Sequence, residues 1–365
     1  MSFASLDRHN YIYRREERMD TVDANPTGID ESGIAAAAKA GDEAAFTDLT
    51  RRYRRELHVH CYRMLASFED AEDMVQETFL RAWQKRETFQ GRASFRAWLY
   101  RIATNVCLDF LTRHERRVLE ISVRGSTPPE GAVAPHVAWL QPYPDRLLEQ
   151  PAGAGEPEAA LLRKETIELA FLVAMQFLPP RQRAVLILRD VLDWSASEAA
   201  ALLDSSVASV NAALQRARAT MRERRPTRDS LPASRPESHD HEQLLLQQYV
   251  DATERCDTQS LARLLRDDVR FSMPPEPIAY VGREAVVGSW VEGGFGAPPF
   301  DAFKCVVTAA NGMPAIACYV RRPGDERYHA FAVDVLRIDG GSIAEITGFD
   351  LANLIDAFGV PATLS

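Results

Sequence analysis

Five carboxylates crowd one short stretch, Glu69, Asp70, Glu72, Asp73 and Glu77, within "EDAEDMVQETFLRAW" (69–83). Carboxylates at this density can hold a cation or steer a basic partner. No His or Cys stands among them, so a transition-metal site is not expected there. "HVHC" (58–61) sets its imidazoles and thiol too close together for one tetrahedral ion. No metal and no cofactor is therefore expected. The five cysteines are scattered, with no CxxC pair, which reads as reduced thiols in a cytoplasmic protein. Two further sets of side chains have binding chemistry. Ser209, Asn211, Gln215, Arg216 and Arg218 combine small polar groups with guanidiniums, the types that read base edges and phosphates. Phe89, Phe95, Trp98 and Tyr100 stand beside cations, a combination suited to unstacked bases.

Helices must present these groups. In the acidic stretch Ala71, Met74, Val75, Thr78 and Ala82 form one apolar stripe at helical spacing. Glu72, Asp73, Gln76 and Glu77 lie opposite, with Leu80 and Trp83 beside them. That face is either a solvated surface with the Trp tucked under a neighbour, or a docking face anchored by Trp83. After a Gly-containing loop, a long helix turns Ile102, Val106, Phe110 and Leu111 inward. Asn105, Asp109, Arg113, Arg116 and Arg117 lie largely away from that core. The stretch 178–223 has the cadence of a helix-turn-helix. One helix runs from Pro180 to about Val191. Ser195 and Glu198 suit a capping box opening a short helix through Leu203. "DSS" (204–206) supplies a turn and an N-cap. The last helix spaces Val207, Val210, Leu214, Ala217 and Met221 as a core seam.

The 365 residues exceed one ordinary domain. Net charge is −9, yet residues 239–365 hold 10 Lys/Arg against 18 Asp/Glu, leaving the rest of the chain at −1. Basic clusters at 51–57, 113–117 and 216–225 therefore suit nucleic acid despite the global sum. No apolar run is long enough to span a membrane, and the N-terminus lacks a secretory signal. The expected organisation is a flexible extension (1–32), an all-α domain (33–120), a Pro/Gly-rich linker with "WLQPYPD" (121–157), a second all-α domain (158–226), a short linker (227–240) and an α+β domain (241–365).

"DAEDMVQETFLRAW", "FRAWLYRIATNVCLDFLTR" and the helix-turn-helix, in this order, resemble a bacterial RNA polymerase sigma factor of the extracytoplasmic-function (ECF) group. The resemblance implies that Glu72, Asp73, Gln76, Glu77, Leu80 and Trp83 dock on the β′ coiled coil of core polymerase. It implies that the loop at 86–95 holds a flipped base, while Asn105, Asp109, Arg113, Arg116 and Arg117 face the −10 element of promoter DNA. The last helix would read the −35 element through Ser209, Asn211, Gln215, Arg216 and Arg218, its domain also touching the β flap. Stacking at ~1–3 kcal/mol per base can offset the few kcal/mol of unstacking that melting costs. No catalytic constellation is needed.

Residues 241–365 resemble a SnoaL-like (NTF2-like) cone. Phe271, Met273, Trp290, His329, Asp334 and Asp350 are candidates for lining a pocket for an unidentified small ligand, and an Asp in an apolar pocket suits a general base. One alternative is therefore a small-molecule isomerase or hydrolase fused to a DNA-binding regulatory part. The other is a regulatory cone, an intramolecular partner of the rest, docked through Trp139, Leu140 and Tyr143 of the linker. Prolines there lower the entropy lost on docking.

Overall fold

The computed structural model describes residues 31–91, 94–116, 118–120, 122–125, 135–148, 166–224 and 239–365. Arg117 lies outside the described residues. Four helices come first among the described residues: α1 (Glu31–Lys39), α2 (Glu43–Leu65), α3 (Phe68–Gln84) and α4 (Phe95–Arg113). The starts of α2, α3 and α4 each have a side-chain cap. Asp42 accepts from the Ala44 and Ala45 amides, Ser67 from Asp70 and Ser94 from Ala97, satisfying donors that the first turn leaves open. Ala71, Val75, Thr78 and Ala82 of α3 are buried against α2 and α4. Met74 is half-buried.

The second helical unit contains α5 (Leu169–Gln176), α6 (Pro180–Leu186, continued by a wider turn through Val191), α7 (Ala196–Leu202) and α8 (Val207–Arg224). The capping box forms: the Glu198 amide donates to Ser195 Oγ (3.2 Å), and the Ser195 amide donates to Glu198 Oε2 (2.8 Å). Val210, Leu214, Ala217 and Met221 are the buried seam of α8. Val207, expected in that seam, is 44% exposed. It opens the helix just after the Ser206 cap.

The C-terminal unit packs α9 (His239–Glu254), α10 (Thr258–Leu264) and α11 (Arg283–Glu292) against one sheet. Its strands are β4 (Leu265–Ser272), β5 (Ile278–Val281), β6 (Ala302–Ala310), β7 (Met313–Arg321), β8 (Tyr328–Asp339) and β9 (Ser342–Asp350), in the order β5-β4-β9-β8-β7-β6. All neighbours are antiparallel except β4 and β9.

The linker is built into this architecture. Leu119–Glu120 and Pro135–His136 pair as β1 and β3. β2 (Ser122–Gly125) joins the cone's sheet, parallel to β5. Gly125 at φ +101° is needed there, because a Cβ would lie 2.2 Å from the Val281 carbonyl oxygen. One apolar core runs continuously from Leu49 through Tyr143 and Leu188 to Tyr319 and Phe358. The two helical units, the linker and one face of the cone thus share a core. A second core fills the cone beneath α9.

Candidate functional site

The acidic face of α3 is partly committed to internal contacts. Glu72 pairs with Arg54, and Gln76 Nε2 donates to Glu72 at 3.3 Å. Glu77 pairs with Arg81 at 2.7 Å. Trp83 is half-buried, tilted against Phe46 (5.0 Å between ring centres) with the Arg86 guanidinium 4.5 Å from its ring. Asp73 remains exposed with no ion pair among the described residues. Partial burial, then the charges of Asp70, Glu72 and Glu69, push its carboxyl pKa up. Leu80 is 53% exposed beside it. An unpaired carboxylate next to an open leucine is a face ready for a basic, apolar partner.

On α4, Asn105, Asp109 and Arg113 are exposed. Asp109 accepts from Arg81 at 2.8 Å. Arg101 stands on the same stripe, four residues before Asn105, and was not among the expected contacts. Its guanidinium grips Asp204 of the helix-turn-helix turn at 2.7 and 2.8 Å. Arg116, expected toward DNA, is instead turned inward. It pairs with Asp70 (2.5 Å), donates to the Leu65 carbonyl (3.2 Å), and lies between the rings of Phe110 and Trp139. The chain leaves the helix at His114, so the helical phase that set Arg116 outward no longer applies. Phe89, Phe95 and Trp98 contact one another at 5.4–5.5 Å between ring centres.

On α8, Ser209, Asn211, Gln215, Arg216 and Arg218 are all exposed. Arg218 is held by Asp190 through two bonds, 2.9 and 2.7 Å. The other four side chains are open, on the side of the helix away from its buried seam.

The "WLQPYPD" segment is seated between the first helical unit and the cone. Leu140 and Tyr143 are buried and Trp139 half-buried. Gln141 holds the α2–α3 corner. Its amide donates to the Ala66 carbonyl, and its side-chain oxygen accepts from Ser67 Oγ and the Glu69 amide, each at 3.0 Å. His58 Nδ1 lies 3.1 Å from the Tyr143 hydroxyl. Burial is the main reason that His58 is pushed down to about 4, with Glu72 opposing and Arg54 assisting. His60 faces elsewhere, 2.9 Å from Thr104 Oγ1.

Sequence reasoning missed Asn311, at the β6–β7 turn. It is fully buried at φ +57°. Its side-chain oxygen accepts the Tyr143 amide (2.8 Å), and its own amide donates to the Tyr143 carbonyl (2.9 Å). Its Nδ2 donates to Tyr62 Oη (2.9 Å) and to the Ile167 carbonyl (2.7 Å). One residue of the cone thus bonds the first helical unit, the linker and the start of the second unit. Asn-Gly reads in sequence as a hairpin turn, and nothing local betrays partners so distant in the chain. Arg183 was missed as well. It is fully buried, pushed down to about 9 by burial, and donates to carbonyls of Met64, Met175, Gln176 and Leu178. It ties α6 to the end of α2.

Inside the cone, Phe271 and Trp290 meet edge to face at 5.8 Å. Met273 and Asp334 approach each other over Gly348, where a Cβ would lie 3.0 and 3.1 Å from their atoms. Burial raises Asp334 to about 6, and bonds from Tyr249 and Cys318 oppose that rise. His329 and Asp350, expected with them, are exposed. His329 pairs with the C-terminal strand β10 (Thr363–Leu364), and Asp350 accepts from the Ala352 amide. Both stand where β8 and β9 run out past the cone interior, so neither reaches it.

Three family models match the chain: Sigma-70 region 2 over residues 49–117, Sigma-70, region 4 over 168–221, and SnoaL-like domain over 246–346. The ECF RNA polymerase sigma factor SigG of Mycobacterium tuberculosis is 40% identical over 335 residues, covering 90% of this chain and 86% of that protein. The ECF RNA polymerase sigma factor SigW of Bacillus subtilis is 30% identical over 187 residues, 50% of this chain and 90% of that protein. The crystal structure of the M. tuberculosis extracytoplasmic function sigma factor SigJ shares the fold, with a TM-score of 0.52 at 21% identity, over 87% of this chain and 99% of that one. An acidic helix with an open leucine, a polar stripe on α4 and a helix-turn-helix with an exposed polar face stand here in one chain with a cone. With kinship over nine-tenths of its length, the chain belongs to the ECF RNA polymerase sigma factors and carries a SnoaL-like domain fused at its C-terminal side.

Proposed function

We propose that this chain binds core RNA polymerase in the cytoplasm, directs promoter recognition and initiation, and is held closed by its own cone. It is not itself an enzyme in this reading; the polymerase makes the RNA. Asp73, Gln76 and Leu80 form the open part of the face for the β′ coiled coil. Glu72, Glu77 and Trp83 shape that face through their internal contacts. Arg101, Asn105 and Arg113 serve the −10 element. Ser209, Asn211, Gln215 and Arg216 serve the −35 element, with Arg218 joining when Asp190 releases it.

Distance argues for opening. The two promoter elements lie roughly 25 base pairs apart, about 85 Å at ~3.4 Å per pair. Here α4 and the helix-turn-helix are in direct contact through Arg101 and Asp204. Asp204 offers a carboxylate where a phosphate would otherwise sit. Both elements of one promoter are out of reach together until the two units separate.

The observation that carries closure is Asn311, whose side chain bridges both helical units and the linker. Asn311→Ala leaves those buried partners unsatisfied. The closed state should lose about 1–3 kcal/mol, roughly a 5- to 150-fold shift toward open molecules. The test is run-off transcription with purified core polymerase. Asn311→Ala should raise output over wild type at limiting protein. Unchanged output and unchanged promoter affinity would rule closure by the cone out.

A further inference from the structure

The cone's hairpin holds two thiols in register. Cys305 of β6 and Cys318 of β7 are direct cross-strand partners, with their Sγ atoms 4.0 Å apart. β6 is the edge strand of the sheet. The Cys305 amide points away from β7 and donates to Glu254 Oε1 of α9 at 2.9 Å. The two cysteines are therefore a non-hydrogen-bonded pair, the antiparallel position where Cα atoms approach to about 4.5 Å. That spacing lies inside the range a disulfide spans. Directly opposed residues share one face, so both thiols sit under α9, and side-chain rotation alone can join them.

Their accessibility differs. Cys305 is half-exposed and Cys318 buried. Asp334 Oδ2 stands 3.8 Å from Cys318 Sγ and 3.3 Å from the Tyr249 hydroxyl. A carboxylate at that place can take the thiol proton. Cys61 and Cys107 also neighbour each other, yet both are fully buried in the first helical unit, beyond reach of a solute.

We propose that Cys305 and Cys318 are an oxidation site for hydroperoxides, closing to one intramolecular disulfide. Cys305 sulfur attacks a peroxide oxygen; the O–O bond breaks, Cys305 becomes a sulfenic acid, and water or an alcohol leaves. Cys318 sulfur then attacks Cys305 sulfur while Asp334 takes its proton. The S–O bond breaks, and the leaving hydroxide takes that proton back from Asp334 and departs as water. Two thiols lose two electrons and the peroxide gains them. Asp334 is a positioning and proton-accepting residue in the second step. The pair stands on the hairpin whose turn carries Asn311, but the proposal holds whether or not that turn controls transcription.

The test uses the full chain treated with hydrogen peroxide, blocked with N-ethylmaleimide and digested with trypsin. Lys304 and Arg321 bracket both cysteines within one peptide, residues 305–321. The expected product is that peptide unalkylated and two hydrogen atoms lighter, reverting with dithiothreitol. Free thiols under denaturing conditions should fall from five to three per chain. Cys318→Ser should stop at the sulfenic acid, trapped on Cys305 by dimedone. Asp334→Asn should slow disulfide closure at least severalfold relative to sulfenic acid formation. The proposal is overturned if wild-type peptide 305–321 remains doubly alkylated at the dose that oxidises other thiols. It is equally overturned if Cys305 gains oxygens without joining Cys318, or if the linkage joins two chains.

Discussion

At the residue scale, open and committed side chains are expected to behave differently when removed. Asp73→Ala with Leu80→Ala deletes a steering charge and an exposed anchor that support little of the fold. Binding to core polymerase should weaken about tenfold or more, since anchors of this kind cost above ~1 kcal/mol, while the melting temperature stays within about a degree or two. Fluorescence anisotropy of labelled protein against core enzyme reads this; an unaltered dissociation constant would remove α3 from the interface. Trp83→Ala should instead lower the melting temperature, because Trp83 packs on Phe46 and Arg86. On α8, Arg216→Ala should weaken all promoters alike and reduce the salt slope by about one. Asn211→Ala should relax base preference at one position. Binding to a promoter library across a salt series separates the two, and identical profiles for both variants would contradict the assigned roles.

At the element scale, the packed faces were legible and their exceptions are instructive. The α3 stripe and the α8 seam follow from 3-4 spacing because neighbouring helices cover whole faces. Val207 escapes at the first position of the helix, where it is 44% exposed. The capping box was readable because both partners are three residues apart. Composition made the linker a tether, yet it supplies β2 to the cone and seats Tyr143 in the core. Its clue was the apolar "WLQPYPD" among prolines and glycines. Asn311, Arg183 and Arg101 were not readable, because their partners are set by how whole units meet. The α2–α4 contact carries its own pH response. His60 is fully buried, and burial, then Arg63 and Arg96, hold it near 3, well below its ordinary 6.5. The unfolded chain takes up that proton first, so this contribution to stability is complete above about 6.5 and is lost as pH falls toward 3. His60→Gln should flatten the melting-temperature profile between pH 6.5 and 4.5. A profile parallel to wild type would assign the acid response to other groups.

At the scale of the whole molecule, closure rests on few polar ties across one shared apolar core. Arg101–Asp204, Arg183 and Asn311 join units that part on DNA in the proposed reading. Small-angle scattering should find wild type as compact as this structure. Asn311→Ala combined with Asp204→Ala should enlarge the radius of gyration, because both variants cut ties between the units. Unchanged scattering from the double variant would place the holding energy in the apolar core alone. The open form also exposes Leu140, Tyr143 and Ile167, so it should bind an apolar dye more strongly.

Asn311 and Gly312 add a chemical clock. Asparagine followed by glycine loses its amide when the glycine nitrogen attacks the side-chain carbonyl, and asparagine is accordingly among the heat-labile residues. In the closed molecule Gly312 donates to Asp145 Oδ1 at 2.8 Å, and the Asn311 side chain is held on three partners, so the ring cannot close. An open molecule frees both groups. Each period spent open then risks turning Asn311 into an aspartate or isoaspartate, which brings a charge to the buried seat and no longer donates to Tyr62 and Ile167. In the proposed cycle, closure protects the residue that makes closure possible, and a molecule that has aged while open would not return. Incubated side by side, Tyr143→Ala protein should deamidate at Asn311 faster than wild type by peptide mass; equal rates would show that docking gives no protection.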